Sequence, residues 1–270
     1  YNYQSLNGRV KTIKDIFENN NELSKEIIES KKPMIVFGES FFKTKSASYL
    51  FNLSKKFLSK NNKLSDDWNP INILSVDAAT VGNLDLDIID KSNKILDELH
   101  ENKFEIIFLL GQDNLDFKKK DEFIIYQGSH GDRGAEIADI ILPGAAYTEQ
   151  SGHYTNLEGK LQKAYKASYP PGDAKEDWQI INDLAEVMNN RKLFNDKDEL
   201  ESSMFNYLKM NKDQQTSELD HELDENDFTD EFLKVNYKVY YFSNVIARSS
   251  KTMLECNNAK IVLKKTGTDG

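Results

Sequence analysis

The chain has one cysteine, Cys256, in 270 residues. An iron–sulfur cluster is held by four thiolates, and a structural zinc ion by four Cys or His side chains. A single thiol therefore leaves the chain unable to hold a cluster by itself or to close an internal disulfide. Long apolar runs are also missing. Even the longest, the five residues Ile106 to Leu110, and shorter ones such as Ile140 to Leu142, fall far short of the ~20 residues a membrane-spanning helix needs, so direct membrane insertion is not expected. Clustered positive charge is scarce as well. The net charge is −10, and basic runs are as short as Lys118-Lys119-Lys120, which argues against nucleic acid as a partner. The first residue is Tyr1 and not methionine, and no charged-then-apolar leader follows it, so the start reads as internal or processed.

What is present fits a soluble α/β protein. Hydrophobic residues make up 39% and charged residues 30%, and the 270 residues suffice for one large or two ordinary domains. Residues 1–30 are polar, with Ile13, Ile16, Phe17, Leu23, Ile27 and Ile28 at the spacing of surface helices. The run Met34 to Gly38 is short, apolar and closed by glycine, as in a buried parallel strand. Ser46 to Leu58 then reads as a helix. The theme repeats with strands expected at Pro70 to Val76, Phe104 to Leu110, Phe123 to Tyr126 and Ala138 to Leu142, and a helix at Ile88 to Leu99. Strands alternating with helices predict a doubly wound, mostly parallel sheet covered on both faces, spanning residues 31–170. Residues 171–270 are expected to form a helical C-terminal region. Its first helix runs from Asp173 as N-cap to Met188, with Trp178, Ile181, Leu184, Ala185 and Met188 on one face. The stretch 213–231 holds nine carboxylates and no Lys or Arg, a composition that favours a solvated linker.

Candidate chemistry concentrates between Phe123 and Gln162. The loop Gln127-Gly128-Ser129-His130-Gly131-Asp132-Arg133-Gly134 follows a strand, where backbone N–H groups can cradle phosphate. It matches neither the dinucleotide nor the phosphate-loop glycine pattern, and glycines there can simply turn the chain. His130 with Asp132, or His153 with Glu149 or Glu158, could form general-base pairs, though Ser129 and Ser151 lack a nucleophile-elbow context. Two loop histidines make a weak metal site. Ordering the loops by hydrogen bonds is the simpler use of these side chains. Cys256, in an expected helix, reads as a small apolar packer. From these residues alone no catalytic, cofactor or metal site is assigned.

Several segments carry a resemblance. They are Lys32 to Gly38, Asp67 to Leu74, Tyr126 to Asp132, Ala138 to Glu149, Pro170 to Trp178 and Ala247 to Met253. Together they resemble, in order and spacing, the C-terminal half of the large iron–sulfur (75 kDa-type) subunit of respiratory complex I, NADH:ubiquinone oxidoreductase, in its mitochondrial form. That subunit is related to molybdopterin oxidoreductases, in which a stretch similar to Glu149-x-x-Gly152-x-x-x-Asn156-x-Glu158-Gly159-Lys160-x-Gln162 helps shape the cofactor domain. Lys160 stands where the wider family usually has arginine, and it lacks the planar fork suited to bidentate contacts. Gly128, Gly131, Asn156 and Lys160 are thus candidates only for a vestigial pocket.

The resemblance implies a molybdopterin-oxidoreductase-like fold without a working molybdenum centre. The iron–sulfur clusters would lie in the N-terminal half or a partner chain. The partners implied are that cluster-bearing half, the flavoprotein module and other peripheral-arm subunits, on the matrix side of the mitochondrial inner membrane. The chain would then be a structural component of an enzyme and not itself catalytic. The alternative is a molybdopterin- or nucleotide-binding oxidoreductase domain.

Overall fold

The computed structural model describes residues 3–65, 67–90, 92, 94–112, 115, 117–214, 223–235 and 239–265. The chain divides into two compact units, residues 1–80 with 216–237 and residues 81–215 with 238–270.

The first unit holds α1 (Val10–Phe17), α2 (Glu22–Glu29), β1 (Ile35–Gly38), α3 (Ala47–Lys60) and β2 (Ile71–Leu74). In α3, Ala47, Leu50, Leu53, Ser54, Phe57 and Leu58 recur at three- and four-residue steps and are all buried, so one stripe of the helix faces the core. Against it pack Val10, Ile16 and Phe17 of α1 and Phe37 of β1. Asn21 caps α2 by accepting from the Leu23 amide at 3.0 Å. β1 and β2 pair in parallel, with Ile35 beside Ile71 and Phe37 beside Ile73. Two of the motif segments meet here: the Trp68 indole donates to the Pro33 carbonyl at 3.1 Å, and the Lys32 ammonium sits 5.1 Å from the indole ring centre.

Residues 223–235 return to this unit as a strap. The expected linker 213–231 is corrected for its described part, while 215–222 lie outside the described residues; 213 and 214 are helical. Leu223, Phe228 and Leu233 pack on the core, which a count of charges overlooks. The carboxylates also find donors. Glu225 accepts from the Tyr49 hydroxyl at 2.7 Å and pairs with Lys14 at 3.0 Å; Asp230 pairs with Arg9; Glu231 accepts from the Lys45 amide at 2.7 Å. Ser46 and Thr229 exchange hydrogen bonds at 2.9 and 2.8 Å. Burial and the neighbouring Glu225 push the Tyr49 phenol up to about 12.

Hydrogen bonds from Arg9 hold the Asp230 carboxyl below its ordinary value, and those from Tyr49 and Lys14 do the same for Glu225. A carboxyl whose pKa is lowered by folding stabilises the fold above its unfolded value and loses that contribution as pH falls. The strap is therefore expected to hold fully above the ordinary values of 3.8 and 4.5 and to weaken below them. Unfolding midpoints measured across that acidic range should fall less steeply for Asp230→Asn than for the natural chain; equal slopes would remove the strap's ionic hold as an explanation.

The second unit runs through α4 (Thr80–Asp85), α5 (Ile95–His100), β3 (Ile106–Leu110), β4 (Phe123–Gly128), α6 (Arg133–Ile137) and β5 (Ile140–Pro143). A hairpin of β6 (Gly152–Thr155) and β7 (Leu161–Ala164) follows, then α7 (Asp177–Asn189), α8 (Lys197–Gln214), α9 (Val245–Ser249) and α10 (Lys251–Lys265). β3, β4 and β5 form a parallel sheet in that order. Asp139 fixes the entry to β4: its carboxylate accepts from the Ile124 amide at 2.8 Å and pairs with Lys119 at 2.6 Å. No helix among the described residues is long and apolar enough to cross a membrane.

The mixed α/β character with parallel strands is as expected, but several details differ. The strands of residues 31–170 form separate sheets, β1-β2 and β3-β4-β5, beside the antiparallel hairpin, and the two units do not follow the boundaries at 30 and 170. The helix expected from Ile88 to Leu99 is limited to α5, because the Asp90 carboxylate accepts from the Ser92 and Ile95 amides and builds a turn instead. α7 begins at Asp177 and not after Asp173, since Glu176 and Gln179 cap it reciprocally. Its buried residues are Ile180 and Asn182, while Ile181 and Met188 are exposed. The reason is Asn182, whose amide bonds Leu193 and Phe194 and turns that side of the helix inward.

Candidate functional site

The loop after β4 is shaped by Tyr126. This side chain is fully buried, and its hydroxyl donates to the His130 carbonyl at 3.1 Å. A Cβ added to Gly128 would land on the Tyr126 phenol. One added to Gly134 would lie 2.8 Å from the Gln112 carbonyl oxygen and 2.9 Å from the Tyr126 ring. The glycines thus let the backbone close over an aromatic ring of the chain's own. Asp132 caps α6 by accepting from the Arg133 amide at 2.8 Å, and the Arg248 guanidinium of α9 pairs with it at 2.6 Å. Burial opposes ionisation of Asp132, yet Arg248 and the Arg133 amide hold the carboxyl below its ordinary range. The contemplated His130–Asp132 pair therefore does not form; the His130 ring meets the Ser129 hydroxyl at 3.0 Å instead. A serine beside a histidine becomes a nucleophile when a third group orients the base, and the carboxylate suited to that task is bound to arginine.

A second polar centre lies where the ends of β4, β5 and α7 meet. Gln127, buried at the end of β4, donates to the Asp177 carboxylate at 2.9 Å. Gln150 donates to its other oxygen at 2.8 Å and accepts from the Asp177 amide at 3.2 Å. Gly144 is needed because a Cβ there would lie 2.8 Å from Asp177 Oδ1. Next to it, the buried Glu176 accepts from Lys197 at 2.6 Å, Lys166 at 3.4 Å and the Trp178 indole at 3.2 Å. Burial opposes its ionisation, but Lys197, Trp178 and Lys166 hold the carboxyl below the usual range. Lys197 also donates to the Ser151 carbonyl at 2.6 Å. This centre borders an open groove of about 510 Å³ whose apolar walls include Leu86, Ile88, Leu200, Met204 and Tyr207. Each charge here has a partner, so the arrangement provides cohesion between strand ends and a helix start.

The remaining sequence candidates lie apart. Asn156 and Lys160 sit at the tip of the β6–β7 hairpin. There the Asn156 side chain accepts from the Glu158 amide at 3.0 Å and the Lys160 amide at 2.9 Å, and Gly159 takes φ +76°. These bonds close the tip on itself and do not reach Gly128 or Gly131 in the loop after β4. The His153 ring packs edge-on against Phe205, with centroids 5.3 Å apart. Glu149 accepts from the Ala146 amide and Glu158 from Asn156, so neither forms the contemplated pair with His153. Cys256 is half-buried on α10. Among the described residues no group of three or more His, Cys, Asp or Glu is placed to hold a metal ion. Sequence reasoning missed the roles of Tyr126, Gln127, Glu176 and Asp177. The signals that could have found them were a glutamine closing the apolar run Ile124-Ile125-Tyr126 and the Glu176-x-x-Gln179 spacing of a reciprocal cap.

The sequence model of the molybdopterin oxidoreductase family matches residues 1–187. The chain is 34% identical to the 75 kDa subunit of NADH-ubiquinone oxidoreductase of Reclinomonas americana, over 96% of this chain and 38% of that protein. It is 35% identical to a subunit of the NADH-quinone oxidoreductase of Rickettsia bellii, over 99% of this chain and 39% of the relative. It is likewise 35% identical to the mitochondrial 78 kDa subunit of NADH-ubiquinone oxidoreductase of Candida albicans, over 84% and 33%. The chain thus spans between a third and two fifths of the length of these relatives. The cofactor that the family's description implies is a phosphate-bearing pterin, and the loop after β4 does not fit it. The Tyr126 ring fills the turn, and the Asp132 carboxylate stands at the helix start where a phosphate would be received.

Proposed function

For a chain that belongs to the molybdopterin oxidoreductase family, we propose a structural, non-catalytic role within the large iron–sulfur subunit of respiratory complex I. One observation carries this reading: similarity to complex I subunits runs through nearly the whole chain. Segments singled out in the sequence also bond to one another. Residues 32–38 meet 67–74 through β1–β2 and Trp68; Gln127 and Gln150 meet Asp177; Asp132 meets Arg248. Side chains engaged in holding the chain together are what a scaffold requires. In this reading the clusters belong to the N-terminal half or a partner chain. The neighbours are that half, the flavoprotein module and other peripheral-arm subunits, on the matrix side of the mitochondrial inner membrane.

The test is to locate the chain. Mass spectrometry of a native-gel band with NADH dehydrogenase activity is expected to recover it. A chain that is absent from that band and migrates as a stable monomer would count against the assignment. Elemental analysis of the purified chain is expected to find no molybdenum.

A further inference from the structure

The sequence holds one Asn-Gly pair, Asn7-Gly8, and the fold sets it where the strap of the first unit attaches. Asn7 is exposed and Gly8 half-buried. The side-chain carbonyl oxygen of Asn7, Oδ1, accepts from the Arg9 amide at 3.1 Å and from the Thr12 hydroxyl at 2.7 Å. A bond to the amide two residues on curls an asparagine side chain back along its own main chain, which draws the Asn7 amide carbon toward the Gly8 peptide. The Gly8 nitrogen finds no acceptor among the described residues, and neither does Asn7 Nδ2. Gly8 takes φ +71°, where a residue with a Cβ is strained, and nothing stands within 4 Å of the place a Cβ would occupy. An unbonded, unshielded peptide nitrogen thus neighbours an amide carbon polarised by two donors, in reach of water.

We propose that Asn7-Gly8 is a self-modification site whose product loosens the strap. Hydroxide takes the Gly8 amide proton, the Gly8 nitrogen bonds to Asn7 Cγ, and the Cγ–Nδ2 bond breaks with loss of ammonia, leaving a cyclic imide. During the attack negative charge gathers on Oδ1, where the Arg9 amide and the Thr12 hydroxyl already point. Water then opens the imide at either carbonyl. One opening gives aspartate; the other gives isoaspartate, whose main chain is one carbon longer. The strap is sensitive to that length. The Leu233 amide donates to the Gly8 carbonyl at 2.8 Å, the Val10 amide donates to the Glu231 carbonyl at 3.0 Å, and Arg9 pairs with Asp230. Isoaspartate at position 7 shifts Gly8 away from Leu233 and turns Oδ1 into a main-chain carbonyl, which costs the Arg9 amide its acceptor. Aspartate keeps both the chain length and the acceptor, so the strap loosens only in the isoaspartate form. The inference rests on the strap and is independent of the assignment to complex I.

The experiment holds the purified full chain at mildly alkaline pH. Peptide mapping by mass spectrometry follows position 7, and enzymatic methylation of the isoaspartyl carboxylate counts the lengthened product. Conversion should concentrate at Asn7, rise with hydroxide, and run no slower in the folded chain than in the same chain unfolded in urea. Thr12→Val should slow it by about fivefold, less than the loss of a donor from an enclosed oxyanion site, while Thr12→Ser, which keeps the hydroxyl, should convert at the natural rate. In the isoaspartate form the amides of Val10 and Leu233 should exchange hydrogen about tenfold faster, as for a local opening. In Asn7→Asp their exchange should stay as in the natural chain. Folding that suppresses the conversion, or a Thr12→Val rate equal to the natural one, overturns the built site. An isoaspartate form whose Val10 and Leu233 amides exchange as slowly as before overturns the loosening of the strap.

Discussion

Glu176→Ala is expected to destabilise the second unit by about 3 kcal/mol, the lower end of what breaking a buried ion pair costs. The carboxylate is buried and receives three side-chain donors, from Lys197, Trp178 and Lys166, besides the helix amide it caps. Losing the cap alone costs about 1 kcal/mol, and each hydrogen bond to a charged group contributes about 1.5–3 kcal/mol. The total stays at the lower end because both lysines keep some contact with water, 25% for Lys197 and 38% for Lys166. Urea unfolding of the full chain, followed by probes in each unit, is the measurement. Only the transition of the second unit should move, since the residue and its partners all belong to it. Glu176→Gln keeps an acceptor for the helix amide and should cost about half as much; a loss equal to that of alanine would mean charge is the whole effect. The acid side has a definite sign. With the folded pKa held down, the contribution is whole above the ordinary value of 4.5 and fades as pH drops. Glu176→Ala should therefore flatten the acid limb of the stability profile.

How far the sequence announced this structure depends on the range over which each signal acts. Strands were legible because short apolar runs are local signals: Ile35, Ile71, Ile106 and Phe123 each open a strand within two residues of the expected start. The helix α3 was legible from its periodicity. Long-range pairing was not. Arg248 reaches Asp132 across 116 residues, and Asp230 reaches Arg9 across 221; neither partner differs in kind from any other surface charge until the fold brings them together. The strap was hidden for the same reason, because its nine-carboxylate surroundings masked the apolar Leu223, Phe228 and Leu233. The glycine loop misled in the opposite direction. A small residue can admit a phosphate or one of the chain's own side chains with the same pattern of letters, and only the position of Tyr126 distinguishes the two.

Replacing that tyrosine decides the matter. Tyr126→Ala is expected to cost about 3–5 kcal/mol, the usual range for deleting a fully buried aromatic side chain. Tyr126→Phe should cost only about 1 kcal/mol, since it removes the bond from the hydroxyl to the His130 carbonyl. The sharper test is coupling. All three nearest atoms to a Cβ placed on Gly128 belong to Tyr126, so Gly128→Ala alone should cost about 1–3 kcal/mol by overpacking. In the Tyr126→Ala background the same substitution has room and should be nearly free, giving a coupling of similar size. Gly134→Ala should behave differently: the Gln112 carbonyl also stands 2.8 Å from its added Cβ, and removing the ring leaves that obstacle in place. If Gly128→Ala and Tyr126→Ala prove additive in urea unfolding, the ring is not what the glycine accommodates. The loop's small residues would then have to answer to something outside the chain.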